Sequence, residues 1–419
     1  MASGLMNSPL RIAYLQRYLP RTSETFVFDE AMMLSRLGAR VEFWALDRSS
    51  SDVVHARHSE LHSGSRLVPR SSSVRTVFAA LGIEEMSGYS RVFGNWSRHG
   101  RLRDLRRVAW LARRWRRTGV QIIRVHHAAE TARYAISAGL LAGIPVSVAV
   151  HARDLFVPIT DMSWLVHAAD HITTITPFHR DRLLRQGLAP ERVALLPCSV
   201  QVPEQPAEDP DSKGPIRLIS VGRLVPKKGH DLTLWVGSFL AEQGAEVEIT
   251  VVGDGPLRDE LETLKLQLEE SSHGRLRIAL RGALPNETVQ QLLASGRYHA
   301  AILSCRVDED GDRDGVPVAL LEAQASGIPV VTSALPGFDY ELGEDSGAVL
   351  VPLRGEGRRR EPLHGELLAV VKALYELPDY RAGLARKARN KALSRESAQQ
   401  LGERLLSMLT SLCSNMPAA

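Results

Sequence analysis

Arg223 and Lys228 stand five positions apart across SVGRLVPKKG (220–229), a turn that follows a strand-like run and ends in glycine. Two cations converging at the carboxyl end of a parallel sheet sit where α/β folds bind ligands. Arginine grips two oxygens in a fork, and lysine is a compact cation suited to a phosphate oxygen. The chain has only seven lysines, and two of them are Lys227 and Lys228. In a sequence that otherwise uses arginine, lysine here suggests a geometric demand; a solvated turn is the bland alternative for this segment by itself.

A second chemistry-bearing stretch is VDEDGDRDGVPVALLEAQASGIPVV (307–331). It admits a calcium loop, a metal-holding D-x-D, or a phosphate-facing loop that opens a helix. A calcium loop starting at Asp310 needs a bidentate acid at its twelfth position, which is Leu321; Glu322 comes one residue late. The helix reading fits better, with Pro317 in the first turn, Leu320, Leu321 and Ala325 apolar, and Gly327 as terminator. Backbone amides around Gly315, Val316 and Val318 then point from a helix N-terminus, where an anion is stabilised. Glu322, about a turn and a half further on, can accept two hydrogen bonds from a diol such as a ribose. Cations, a helix dipole and a diol acceptor together describe a nucleoside diphosphate site.

Positioning these residues requires a repeating strand–helix frame. LRIAYL and ARVEFWAL read as strands around the helical FVFDEAMMLSRL, with Ser23 as its cap and Gly38 as its terminator. VQIIRVHH, IPVSVAVHA, HITTITP and RVALLPC continue the series. QVPEQPAEDPDSKGP (201–215) changes to proline and acid and is the candidate linker. IRLISVGR then opens a second series, with EVEITVVGDG, RLRIALRG, HAAILSC, PVVTSA and GAVLVPL as strands. This predicts two doubly wound α/β domains with a cleft between them.

A chain of 419 residues, 44% of them apolar, fits two or three domains and excludes general disorder. The absence of an eighteen-residue apolar run and of a signal-peptide layout gives the expectation of a cytoplasmic protein. Three scattered cysteines, Cys198, Cys305 and Cys413, support neither structural zinc nor a disulfide framework. Residues 1–200 carry 27 Arg and no Lys against 16 acids, so a basic first half faces an acidic second one. Such a half suits an anionic partner. Within it, RLRDLRRVAWLARRWRRTG (101–119) sets Leu102, Leu105, Val108, Ala109, Ala112 and Trp115 at helical spacing among arginines. It is either an amphipathic helix on anionic lipid, with Trp at the boundary, or a surface helix packed on the sheet. No nucleic-acid-binding module accompanies it.

The paired motifs resemble GT-B glycosyltransferases of family 4, retaining sugar-nucleotide-dependent enzymes that include those building colanic-acid-type exopolysaccharides. The family's G-R-L-x-x-x-K-G is Gly222-Arg223-Leu224 through Lys228-Gly229 here, and its later loop is DGVPVALLEAQASGIPVV. SETF (23–26) and VAVHARD (148–154) also resemble the colanic-acid branch, so the likeness covers nearly the whole chain. It implies a hexosyl transfer from a UDP- or GDP-sugar to a hydroxyl of a glycan, glycolipid or natural-product acceptor. It implies an acceptor-binding domain over 1–200, a linker over 201–214, a donor domain over 215–390, and a terminal helix (391–419) returning toward the first domain.

By the same resemblance, Arg223 and Lys228 hold and stabilise the departing diphosphate. His151 faces the sugar from across the cleft, Asp314 reaches hydroxyls of the donor sugar and Glu322 binds the ribose. Gly222, Gly315, Val316, Pro317 and Val318 complete the donor set, and Ser23, Glu24, Thr25 and His127 are candidates for the acceptor. The acceptor attacks on the face the leaving group vacates, with a diphosphate oxygen helping to take its proton. No cofactor and no essential metal are expected, and Asp308, Asp310 and Asp312 are read as acids of an exposed loop. Asp314 departs from the family's usual Glu by one methylene. Another sugar-nucleotide-processing GT-B protein, epimerase-like, or a non-catalytic nucleotide-sugar binder remain alternatives, as do structural roles for His126, His127 and Glu24.

Overall fold

A computed structural model describes residues 8–19, 25–49, 58–69, 86–99, 101, 104–157, 162–211, 214–355, 360–362 and 364–414. The chain divides into two compact units, one comprising Met1–Ile175, His179–Pro197 and Ala398–Ala419, the other Thr176–Phe178 and Cys198–Ser397.

The first unit is built on seven parallel strands: β1 (Arg11–Leu19), β2 (Arg40–Arg48), β3 (Arg66–Leu67), β4 (Ile122–His126), β5 (Val146–Ala149), β6 (His171–Thr174) and β7 (Val193–Leu195), in the order β3-β2-β1-β4-β5-β6-β7. β4, β5 and β6 are buried along their whole length. A parallel sheet covered on both faces needs such runs rather than alternation, which is why IIRVH and VSVA are read easily as strands. Trp44, Trp96, Trp115, Val125 and Val148 form the core on one face, and Tyr14, Phe28, Phe43 and Ile122 that on the other. Leu405 and Leu409, from the helix Ala398–Ser414, belong to the second of these cores.

The basic helix spans Leu105–Thr118 and ends at left-handed Gly119. Its stripe of Leu105, Val108, Leu111, Ala112 and Trp115 lies in the core, with Trp115 fully buried. Burial of a tryptophan is worth about 4–6 kcal/mol. The reading that places Trp115 at a lipid boundary is therefore corrected: the apolar side is occupied by protein. Arg106, Arg114, Arg116 and Arg117 remain exposed, whereas Arg107 is buried and donates to the carbonyls of Leu46 and Val68.

The second unit carries six parallel strands: β8 (Ile216–Val221), β9 (Val247–Val252), β10 (Leu276–Leu280), β11 (Ala300–Leu303), β12 (Val330–Ser333) and β13 (Ala348–Val351), in the order β10-β9-β8-β11-β12-β13. Its two apolar faces, around Leu218, Ile249 and Ile302 and around Ile219, Leu303 and Val330, are separate cores. The segment expected as a linker is pinned to this unit. Asp209 takes a bidentate ion pair from Arg381, at 2.8 and 2.9 Å, and the amide of Ala207 donates to Ser326. Proline and acid there satisfy a buried arginine instead of forming a free tether.

Both sheets reverse their winding in the middle, at β1/β4 and at β8/β11. Loops leaving the carboxyl ends of such neighbours diverge and leave a crevice, the usual ligand position of open α/β sheets.

Candidate functional site

At the β8/β11 switch point, the chain leaves β8 through Gly222, whose amide donates to Val252 at 2.9 Å. It then makes a short 3-10 turn, Pro226–Lys228, and enters the helix His230–Glu242 through Gly229. Gly229 has φ +63°, and a Cβ there would lie 1.9 Å from the Ser304 carbonyl oxygen, so only glycine lets the lysine turn rest on the end of β11. Arg306, just beyond β11, straps that turn down. Its Nε donates to the Pro226 carbonyl at 2.7 Å, and its Nη1 lies 2.9 Å from Asp231.

The strap brings the lysines onto the acidic loop. Lys228 Nζ is 2.8 Å from Asp314 Oδ2, and Lys227 Nζ is 3.1 Å from Asp312 and 3.6 Å from Asp314. Burial pushes the Asp314 carboxyl up, but the ammonium groups of Lys228 and Lys227 outweigh it and hold the group below its ordinary value. The Cys305 thiol, 3.6 Å from Asp314, is pushed up by burial and then by that carboxylate, which keeps it protonated.

The remaining acids serve the loop itself. Asp308 and Asp310 accept the amides of Glu309 and Asp312, each at 2.8 Å, as short side chains do in turns. Asp310 is exposed, as expected. Asp312 is not: it is 8% exposed and paired with Lys227, so its assignment to an exposed loop is corrected.

The helix Val318–Ala325 starts directly after Pro317 and is followed by left-handed Gly327. Val316 is buried in the core, so its backbone alone is available to a ligand. Gly315 and Val318 are half-buried. Glu322 is also half-buried and accepts a 3.0 Å bond from Asn286 Nδ2, which orients the carboxylate. Arg223 is exposed, and its guanidinium holds no partner among the described residues. His230, which the sequence reading did not single out, bonds Ser220 at 3.0 Å and the Arg223 carbonyl at 3.2 Å. Burial and then Lys228 lower its pKa to about 4, so it is neutral and fixes the backbone of the arginine turn.

At the β1/β4 switch point of the other unit, three histidines meet. His126 ends β4, His127 follows it at φ +70°, and His151 follows β5. His126 Nδ1 and His151 Nε2 are 3.2 Å apart, and the rings of His127 and His151 are centred 4.4 Å apart. Phe26, in the first turn of the helix Thr25–Arg36, packs on His151 at 5.1 Å and on His126 at 5.6 Å. Asp154 accepts the amides of His151 and Ala128 at 2.8 and 3.1 Å, tying the two histidine loops together.

Behind the histidines lies a network that the sequence reading missed. Glu30 Oε1 accepts from the Tyr14 hydroxyl at 2.7 Å, Arg124 Nε at 3.0 Å and His126 Nε2 at 3.1 Å, while Oε2 accepts from Arg124 Nη2 at 2.9 Å. Arg124, fully buried, also donates to Ser147 and Thr173. An arginine inside the apolar run IIRVH demands such a counter-charge and was the available signal. Burial comes first, then competition with any proton on His127 or His126 and the fixed charge of Arg124; together they push His151 well below the ordinary histidine value. Thr25 contributes backbone to its helix, and Ser23 and Glu24 lie outside the described residues.

The sequence matches the model of Glycosyltransferase Family 4 over residues 23–202 and that of Glycosyl transferases group 1 over residues 201–354. It is 25% identical over 369 residues to the putative colanic acid biosynthesis glycosyltransferase WcaL of Escherichia coli (strain K12), covering 82% of this chain and 87% of that protein. It is 23% identical over 352 residues to the alpha-D-kanosaminyltransferase of Streptomyces kanamyceticus, covering 77% and 84%. Anabaena Alr3699/HepE, solved in complex with UDP and glucose, superposes with a TM-score of 0.69 at 14% identity, over 96% of this chain and 100% of that one. WaaG, a glycosyltransferase involved in lipopolysaccharide biosynthesis, does so with a TM-score of 0.61, over 95% and 99%.

Proposed function

Since the chain belongs to glycosyltransferase family 4, is a glycosyltransferase and has the two-sheet GT-B fold, we propose that it transfers a hexosyl group from a UDP- or GDP-sugar with retention. The acceptor is a hydroxyl of a glycan, lipid-linked saccharide or natural product. One observation carries this reading: Lys228 and Lys227 are brought to the second sheet's switch point, against the loop that leads into the helix Val318–Ala325, with Asp312 and Asp314 as their carboxylate partners among the described residues. A diphosphate is the ligand chemistry that two ammonium groups, an exposed guanidinium at Arg223 and free helix amides favour.

In this reading, Arg223 and Lys228 grip the diphosphate and stabilise the charge that grows on it as the glycosidic bond breaks. Gly222, Gly315, Val316, Pro317 and Val318 present backbone to the donor. Glu322, oriented by Asn286, accepts the ribose hydroxyls. Asp314 meets a hydroxyl of the transferred sugar, and the neutral imidazole of His151 contacts a substrate hydroxyl. His127, with Ser23, Glu24 and Thr25, belongs to acceptor binding. The proton of the attacking hydroxyl passes to a diphosphate oxygen, so no protein base takes it.

The oxygens of Asp312 and Asp314 face ammonium groups, which supports transfer without a metal ion. Activity abolished by EDTA and restored by manganese would overturn that part. No helix among the described residues is long and apolar enough to cross a membrane. A cytoplasmic location is part of the proposal, and any contact with the inner membrane face rests on the exposed arginines of 101–119 alone. Salt-sensitive co-sedimentation with anionic but not neutral liposomes is the expected result.

The deciding experiment is a hydrolysis screen of UDP-, GDP- and ADP-sugars with the wild-type chain and Lys228→Ala. Turnover of one donor, lost in the folded variant, supports the assigned site. Equal turnover in both refutes it. Proton NMR of the first product released tests retention.

A further inference from the structure

We infer that Glu30 is a positioning residue: anchored by Arg124 and Tyr14, it sets through His126 the ring tautomer of His151, which then meets substrate as a hydrogen-bond acceptor. This rests on the reading of His151 as a substrate contact.

Arg124 is fully buried and always charged, so Glu30, its bidentate partner, is held as a carboxylate. Burial pushes Glu30 up, but Arg124 and then His126 outweigh it and keep it well below its ordinary value. A carboxylate only accepts, and Tyr14 and Arg124 already donate to it. His126 Nε2, 3.1 Å from Oε1, must therefore carry a hydrogen.

Burial lowers the pKa of His126, so its ring is neutral and has only that hydrogen; Nδ1 is bare. His151 Nε2, 3.2 Å from that nitrogen, has to supply the hydrogen between the rings. A neutral His151 with its hydrogen on Nε2 has its lone pair on Nδ1. The other groups packed around it do not alter this assignment. His127 and Phe26 meet it through ring contacts, and Asp154 takes its backbone amide while turning its own amide toward the imidazole, a donor that a bare Nδ1 accommodates. The order of donation, His151 to His126 to Glu30, is thus fixed by a charge buried beneath β4.

The test reads the tautomers directly, without substrate. Nitrogen-15 NMR of the full chain with labelled histidine rings, assigned by His126→Asn and His151→Asn, is expected to show both rings protonated on Nε2. Glu30→Gln, whose amide can donate as well as accept, is expected to give mixed tautomers at both. If it fails to fold because Arg124 loses its partner, Glu30→Gln with Arg124→Met removes both charges and reports the same change.

With the donor found in the hydrolysis screen, Glu30→Gln is expected to lower kcat about 10- to 100-fold with KM nearly unchanged. A wild-type His151 protonated on Nδ1, or tautomers unmoved in the variants, overturns the relay. A relay seen by NMR while His151→Ala turns over normally leaves the relay standing and sinks the role given to His151.

Discussion

At the carboxyl edge of the first sheet, Glu30 is saturated by Tyr14, Arg124 and His126, and each of these donors is buried. At the same edge of the second sheet, Asp314 faces two ammonium groups, one of them shared with Asp312, while Arg223 stands exposed. The first arrangement is closed: both Glu30 oxygens are taken by buried donors, and removing the carboxylate would strand the buried charge of Arg124. The second is exchangeable, because a lysine held by a half-buried aspartate can be handed to a diphosphate without exposing a bare charge to an apolar core. One edge is built to hold a ring in a single state, the other to bind and release.

Disabling the exchangeable cation tests that contrast most severely. Lys228→Ala should reduce donor hydrolysis and transfer on the order of 100- to 1,000-fold, the scale for losing a group aimed at developing transition-state charge. Thermal unfolding should move little, since Lys227 still neutralises Asp314. A large loss of stability with modest loss of rate would reverse the two descriptions.

The acids of the loop give graded effects. Asp314→Ala should cost activity roughly 10- to 100-fold, and Asp314→Glu should change the ranking of donor sugars in the hydrolysis screen. Asp312→Asn breaks a buried ion pair, so unfolding should show a loss of about 1–3 kcal/mol, with a several-fold drop in rate. Asp310→Ala, at an exposed position, should stay within about 0.5 kcal/mol and keep full activity. Equal effects at Asp310 and Asp312 would mean that burial of the Lys227 pair does no organising.

The same contrast explains what the sequence disclosed. Arg223 and Lys228 lie in one turn, and Asp314 and Glu322 in one loop and helix, so local spacing was enough to propose them. The strands were readable because a parallel sheet makes each one an apolar run. The histidine network was not, since Tyr14, Glu30, Arg124 and His151 come from β1, a helix, β4 and the loop after β5. Only the β1-β4-β5 order brings them together. His126 and His127 are visible as strand-end residues, but Glu30 reads like any other helix acid. Asp312 resembled its neighbours because alternating acids do not show which one turns inward. Trp115 was ambiguous because a stripe among arginines looks alike whether lipid or a sheet covers it.

The smallest effect expected is a flat line. His126 and His151 are depressed chiefly by burial, so neither takes up a proton at about 6.5, where an ordinary histidine titrates. The kcat/KM profile should therefore show no inflection there that His151→Asn removes; finding one would place a titrating imidazole in the first site and break its description as closed. Stability should nonetheless respond to acid. In the unfolded chain these histidines, with His171 and His230 at about 4 when folded, take up protons as the pH falls through about 6.5, while the folded ones do not. The unfolded state then binds more protons, so stability is full above about 6.5 and declines from there toward about 4. Glu30 and Asp314 act in the opposite sense to their burial: held below their ordinary values, they sustain stability until the carboxylate range is crossed. Thermal melts at descending pH should thus show a first decline set by histidines and a later one set by carboxylates. His151→Asn should shrink the first without touching the second.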